Sequence, residues 1–481
     1  VSEGKPAVDR KARLKIPAQV MPKQDPAVRI HNWDETYLPL DLETARLEAG
    51  RCIQCPAAAC TKACPLNNDI PGALWLLEHG DVVGAANKFR ETSNLPEMCG
   101  RLCPQERLCE GRCVAGRNTK PVAIGRMEVF VTDYQRERFG FPMPELAPPS
   151  GRKVAVVGAG PAGLVVAEEV AVRGHGATIF DAWPEPGGVL LYGIPNFKMA
   201  KRILSQKVDF LKKLGVQFVM NTHVGKEITL EDLFADGYDA VFLGHGAGIG
   251  NLLGIENDDL KGVYMATDFL VRGNLKPEQL PEGHREPVHV GKRALVIGGG
   301  DTSMDCVRTA VRLGAQEVRC MYRRTEAEMP GRGDERVHAR EEGVIIDFLV
   351  APVRFFGDEE GRVKAVEFRR MQLGEPDESG RRRPVPIEGS EFVVEADTVV
   401  LALGYGVDRV FSDTVPGLEA DRQGCIGIDR ETGRTSVPGV FAGGDNVNGP
   451  DLVVTALRDG RRAARGIDEY LRSLPGQAAA K

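Results

Sequence analysis

KVAVVGAGPAGLVVAEEVAVRGHGATIFD, residues 153–181, decides the fold. An apolar, β-branched run leads into a glycine turn. A helix-length segment follows, stopped by Gly174, and a second apolar run ends on Asp181. This alternation predicts a βαβ unit on a parallel sheet. The same grammar returns at 293–324, RALVIGGGDTSMDCVRTAVRLGAQEVRCMYRR, where Gly314 closes the helix. The chain therefore reads as α/β, with two Rossmann-like dinucleotide-binding domains.

In the first turn, Gly158 permits the tight bend and Gly160 leaves room for a pyrophosphate. Gly163 lets helix and strand close together. Pro161 and Ala162 open the helix, whose free N–H groups favour phosphate, and Asp181 is placed to accept from ribose hydroxyls. The second turn runs Gly298-Gly299-Gly300-Asp301-Thr302-Ser303, with a small serine in the third glycine's place. Its second strand ends on Arg323-Arg324 where an NAD site offers a carboxylate. A guanidinium pair clamps a 2′-phosphate, which predicts NADPH.

Two such sites imply a two-cofactor protein. GVFAGGD (439–445) suits a flavin domain completed by the C-terminus, with Gly444 and Asp445 beside the ribityl chain. The first site is thus expected to take FAD and the inserted second site NADPH. TVVLALGYGVD (398–408) reads as a strand returning toward the first unit. The expected FAD domain is 151–285 with 405–481, and the NADPH domain is 286–404.

The four prolines of FPMPELAPPSGR (141–152) mark a linker, and residues 1–150 before it form an N-terminal arm and a helical domain. Residues 1–30 are charged and without a clear period, which predicts an extended arm. Eight of the 11 cysteines fall between Cys52 and Cys113. Cys52-x2-Cys55-x4-Cys60-x3-Cys64-Pro65 is followed by Cys99-x3-Cys103-x5-Cys109-x3-Cys113. Thiolates in fours suit two [4Fe–4S] clusters, with zinc knuckles as the structural alternative. Beside two dinucleotide sites the redox centre is favoured, because zinc carries no electrons. The simple grouping assigns each run of four to one cluster; in two-cluster ferredoxins the last cysteine of a run crosses to the other.

With 62 Lys and Arg against 68 Asp and Glu, the net charge is −6, which argues against wholesale nucleic-acid binding. No stretch is long and apolar enough for a membrane span, and the start carries no apolar leader core, so a cytoplasmic location is expected.

Taken together, GAGPAG, GGGDTS with YRR, and FAGGD resemble the pyridine nucleotide–disulfide oxidoreductase flavoproteins. The paired redox cysteines of the disulfide-reducing members are missing: neither Cys306 nor Cys320 has a partner at their spacing. CIQCPAAACTKACP, MCGRLCPQERLCEGRCV and PGGVLLYGIPNFKM narrow the resemblance to the small (β) subunits of NADPH-dependent glutamate synthases. These share their module with the N-terminal part of dihydropyrimidine dehydrogenase and with ferredoxin–NADP⁺ transhydrogenase subunits. This resemblance implies that Gly188 and the segment 187–195 wrap the flavin ring, with Lys198 nearby. It also implies a crossed ligand set: Cys52, Cys55, Cys60 and Cys113 on one cluster, and Cys64, Cys103, Cys109 and Glu128 on the other. Cys99 is then a spectator, or the alternative to Glu128. The implied activity is NADPH oxidation, with electrons leaving for a large (α) partner subunit in a hetero-oligomer. The alternative is a ferredoxin-linked or stand-alone NADPH oxidoreductase.

Overall fold

The computed structural model describes residues 8–377 and 380–475. The strand Lys153–Val157 is buried from Val154 onward because helices cover both faces of its sheet. It lies at the centre of five parallel strands in the order Val440–Ala442, Ala240–Leu243, Lys153–Val157, Gly176–Phe180, Gln217–Val219. The second sheet repeats this plan: Val263–Met265, Thr398–Leu401, Arg293–Ile297, Glu317–Tyr322, Ile345–Phe348, all parallel. In both sheets the strand before the glycine turn is central, so each turn opens at a sheet edge shared by several strand ends.

The C-terminus completes the first domain, as its strand-and-turn pattern suggests. Strand Val440–Ala442 sits at the sheet's edge, and helix Val453–Ser473 packs its apolar face on helix Pro161–Val172. Gly460 allows that approach, since a Cβ there would lie 2.8 Å from the Ala162 carbonyl oxygen.

Two expectations are corrected. Thr398–Leu401 does not return to the first unit; it pairs with Arg293–Ile297 and Val263–Met265 inside the second sheet. The crossing is instead the short antiparallel ribbon of Ile249–Gly250 with Tyr405–Gly406. Entry into the second unit therefore precedes residue 286, because Val263–Met265 is already its edge strand. An antiparallel sheet, Val350–Gly357, Val363–Pro376, Arg382–Pro386 and Phe392–Glu395, is inserted before the last parallel strand.

The cysteine-rich region is helical, with helices Leu42–Gly50, Ile70–Glu78, Val82–Arg90, Pro96–Leu102 and Ile124–Phe139. Asp41, Asp69 and Asp81 cap the first three of these by accepting from backbone N–H groups. Leu74, Leu77, Phe89, Met127 and Val131 fill the core between them.

From residue 8 onward the N-terminal arm is not merely extended; it is a docked strap. Arg13 pairs with Glu78 at 2.7 Å and donates to the carbonyls of Gly50 and Cys52. Arg10 donates to the Ile53 carbonyl at 3.3 Å, and Lys5 lies outside the described residues. Further on, Arg29 is 1% exposed and pairs with Glu341 and Glu342 of the second dinucleotide domain.

Candidate dinucleotide and cluster sites

The first glycine turn is shaped by three different demands. Gly158 has φ +102°, and a Cβ there would lie 2.4 Å from the Gly244 carbonyl oxygen. Gly163 would place a Cβ 1.9 Å from the Gly158 carbonyl oxygen, so it serves helix–strand packing. Gly160 is different. Its φ of −76° is open to any residue, and a Cβ would meet only the Gly188 Cα, at 4.0 Å. What Gly160 provides is room: with Gly188 it leaves an open cradle at the N-terminus of helix Pro161–Val172, which fits a pyrophosphate. Gly160→Val should therefore fold but purify without the absorbance of bound flavin; full flavin content in that variant would place the phosphates elsewhere.

Asp181 accepts from the backbone N–H of Ala159 at 2.7 Å and of Trp183 at 2.9 Å. Burial raises its pKa despite those bonds. Its carboxylate thus ties the glycine turn to the strand end and keeps further lone pairs for a ribose. Gly444 brings the C-terminal loop against Ala162, and Asp445 opens the short helix Asp445–Asn448. Burial, with the Asp451 and Asp459 carboxylates nearby, pushes Asp445 up to about 7 although it also accepts from the Asp451 backbone.

The second turn repeats the plan. Gly298 has φ +148°, and a Cβ there would lie 2.2 Å from the Ala402 carbonyl oxygen and 2.6 Å from Ser303 Oγ. Fully buried Ser303 takes the packing role of the third glycine. Gly300, with φ −86°, would meet nothing within 4 Å if it carried a Cβ, and it leaves the same opening as Gly160. Asp301 accepts from the Arg332 backbone at 2.9 Å, and Thr302 lies beside Tyr405.

The arginine pair does not stand as a pair. Arg324 is 5% exposed, bonded at 2.8 Å both to Asp377 and to the Arg382 carbonyl. It anchors the inserted antiparallel sheet to the end of strand Glu317–Tyr322. Arg323 is exposed and has no hydrogen bond or ion pair among the described residues. Sequence reasoning also leaves Lys198 without a role. It forms a buried 2.8 Å ion pair with Asp305, on the helix after the second glycine turn, so the pair joins the two dinucleotide domains. Burial opposes the lysine's charge, but Asp305, Glu335 and Asp301 hold it protonated. No local pattern announces such a pair.

The cysteines fall into two neighbourhoods. Cys52, Cys55, Cys60 and Cys113 line one small cavity among Ile70, Leu74, Val122 and Ile124. Cys64, Cys99, Cys103 and Cys109 share the other with Glu128. Burial pushes the Cys52 thiol up to about 12, and those of Cys60 and Cys64 to about 11. Such sulfurs ionise when a bound cation compensates them. Glu128 is no solvated helix residue: it is 6% exposed, and burial raises its pKa well above the usual range. Cys99 is also buried, at 2% exposed, beside Ser93 and Cys103. Among the described residues no three His, Cys, Asp or Glu side chains gather around a point that would hold a single ion. Cys103 packs against the core of the first dinucleotide domain, Cys64 against that core and the helical domain's, and Cys52, Cys60, Cys109 and Cys113 against the helical domain's core.

Residues 152–460 match the family model described as pyridine nucleotide-disulphide oxidoreductase. The chain belongs to that family. Residues 29–139 match the model for dihydropyrimidine dehydrogenase domain II, 4Fe-4S cluster, so this oxidoreductase carries an iron–sulfur domain at its N-terminal side. Among the family's members, the glutamate synthase [NADPH] small chain of Escherichia coli is 42% identical over 456 residues, covering 94% of this chain and 96% of that one. The putative oxidoreductase AegA of the same organism is 42% identical over 445 residues, covering 91% of this chain but 67% of its own length. The fold is shared with Mycobacterium tuberculosis FprA in complex with NADPH, at TM-score 0.56 and 22% identity, over 67% of this chain and 84% of that one. No helix among the described residues is long and apolar enough to cross a membrane.

Proposed function

We propose that this chain is the electron-input subunit of a glutamate synthase: it oxidises NADPH and delivers electrons to a large partner subunit, which makes glutamate from glutamine and 2-oxoglutarate. The observation that carries this reading is the end-to-end match, 94% of this chain with 96% of a glutamate synthase [NADPH] small chain. When bound, FAD would supply the link between two-electron hydride chemistry and one-electron transfer, and [4Fe–4S] clusters would supply the one-electron acceptors.

The chain's own residues hold and order these groups. Gly158, Gly160, Pro161, Ala162, Gly163, Asp181, Gly188, Gly444 and Asp445 surround the FAD cradle. Gly298, Gly300, Asp301, Thr302 and Ser303 form the NADPH turn, and exposed Arg323 is free for the 2′-phosphate, while Arg324 holds the inserted sheet. The Lys198–Asp305 pair fixes one dinucleotide domain against the other, which sets the approach of nicotinamide to flavin. Cys64, Cys103, Cys109 and Glu128 would hold the cluster nearer the flavin domain; Cys52, Cys55, Cys60 and Cys113 would hold the outer one, with Cys99 as the alternative to Glu128. So thiolate-rich a chain suits a reducing, cytoplasmic compartment.

A second reading draws on AegA, in which a comparable module is part of a longer chain. There this chain would be a ferredoxin-linked or stand-alone NADPH oxidoreductase. Reconstitution separates the two. Alone, the protein should reduce ferricyanide with NADPH and make no glutamate. Adding a glutamate synthase large subunit should bring NADPH-dependent glutamate formation. No gain from the large subunit would promote the second reading.

A further inference from the structure

A cavity of about 430 Å³ lies where the strap, the cysteine domain and both dinucleotide domains meet. None of its lining residues belongs to either glycine turn or to the small cavity of the outer cysteines, although Arg332 in its wall is bonded to Asp301 of the second turn. Its size falls in the range of roughly 300–1,000 Å³ typical of small-molecule sites. Its charges are largely paired. Glu35 is bound by Arg101, Glu48 by Arg51 and Glu335 by Arg308. Asp334 accepts from the Tyr37 hydroxyl at 2.8 Å, and Glu110 accepts from the Gly125 backbone at 3.0 Å. Of the cations, Lys23 pairs with Glu341 and Lys198 with Asp305, while Arg332 donates to the Arg101 carbonyl and to Gln105.

Arg126 stands apart. Its guanidinium lies over the Tyr37 ring at 4.3 Å, and it makes no hydrogen bond or ion pair among the described residues. Lys120 at the wall is exposed and likewise without an ion-pair partner among the described residues. Among the described residues Arg126 and Lys120 are thus the lining cations whose side chains have neither an ion-pair partner nor a hydrogen bond, and they share one space with Asp334 and Glu110, whose hydrogen bonds come from neutral donors. A guanidinium held flat by an aromatic ring, with its N–H fork unused, has the geometry of a receptor for a planar or tetrahedral oxyanion.

We propose that this cavity binds a small oxyanion, the carboxylate or phosphate group of a metabolite, on Arg126 with Lys120 as the supporting cation. Because its walls come from the strap, the cysteine domain and both dinucleotide domains, occupancy stabilises their docking on one another.

The test uses the full chain with its cofactors loaded and NADP⁺ saturating, so that the dinucleotide sites are filled. Succinate, citrate and inorganic phosphate are compared with sodium chloride at matched ionic strength, by thermal unfolding and calorimetric titration. At least one probe should raise the Tm beyond the chloride control, and which one responds assigns the ligand to carboxylates or phosphates. Arg126→Gln should weaken that binding by about ten-fold or more. Lys120→Ala, a change at an exposed side chain, should weaken it less and leave the Tm without probe unchanged, which keeps the test valid if Arg126→Gln folds poorly. No probe surpassing chloride, or undiminished binding in both variants, would overturn the proposal.

Discussion

Cys113→Ala is expected to remove one of two clusters, and with it about half of the iron and acid-labile sulfide, whereas Cys99→Ala keeps both. In chain order Cys113 closes the second run of cysteines, yet it lines the same cavity as Cys52, Cys55 and Cys60. Cys64, the last of the first run, neighbours Glu128 and Cys99 instead. Cys64→Ala should therefore lose the other cluster. Iron and sulfide analysis of anaerobically purified variants, with the visible sulfur-to-iron absorbance, checks all three. Loss at Cys99 equal to that at Cys113 would restore the simple grouping of each run with itself.

A comparably large effect is expected on stability from Glu342→Ala. Glu342 has a fully buried side chain and accepts from Arg29, Arg308 and Arg312, whose side chains are at most 1% exposed. Removing the shared carboxylate leaves guanidiniums buried without that partner, a loss of about 3–5 kcal/mol. The effect carries a pH signature. Burial alone would raise the Glu342 pKa, but hydrogen bonds from Arg308 and Arg312 lower it to about 2. A folded-state pKa below the unfolded one stabilises at neutral pH, and that stabilisation drains away as pH falls from about 4.5 toward 2. The gap in unfolding free energy between the wild-type chain and Glu342→Ala should therefore narrow over that acid range. A gap independent of pH would mean the carboxylate acts through packing alone.

The parts legible in the sequence are those set by local backbone demands. Gly158 is dictated by its own positive φ and Gly163 by a contact within the turn, so the letters GAGPAG report the βαβ unit directly. The same holds for Gly298, and even the departure at Ser303 is readable, because a small side chain fills the same packing place. What escapes is partnership across the chain. Arg324 looks identical to Arg323 in sequence, but Asp377, on a sheet inserted far along the chain, takes it out of the dinucleotide groove. TVVLALGYGVD reads as a strand returning toward the first unit but joins the second sheet, since a buried parallel strand carries no address beyond its apolar run. The strap reads as a bare arm because its anchors, Glu78, Glu341 and Glu342, lie in elements that share no pattern with it. The crossing of Cys64 and Cys113 comes from a resemblance to relatives rather than from spacing.

The central claim is that electrons enter at the second glycine turn and leave through the cysteine domain. The direct measurement is the anaerobic addition of NADPH to the whole protein, followed by visible absorbance and electron paramagnetic resonance. Bleaching of the flavin should accompany the appearance of reduced-cluster signals, with a much weaker response to NADH. Flavin reduction that leaves every cluster oxidised, with no transfer to a one-electron acceptor, would contradict it.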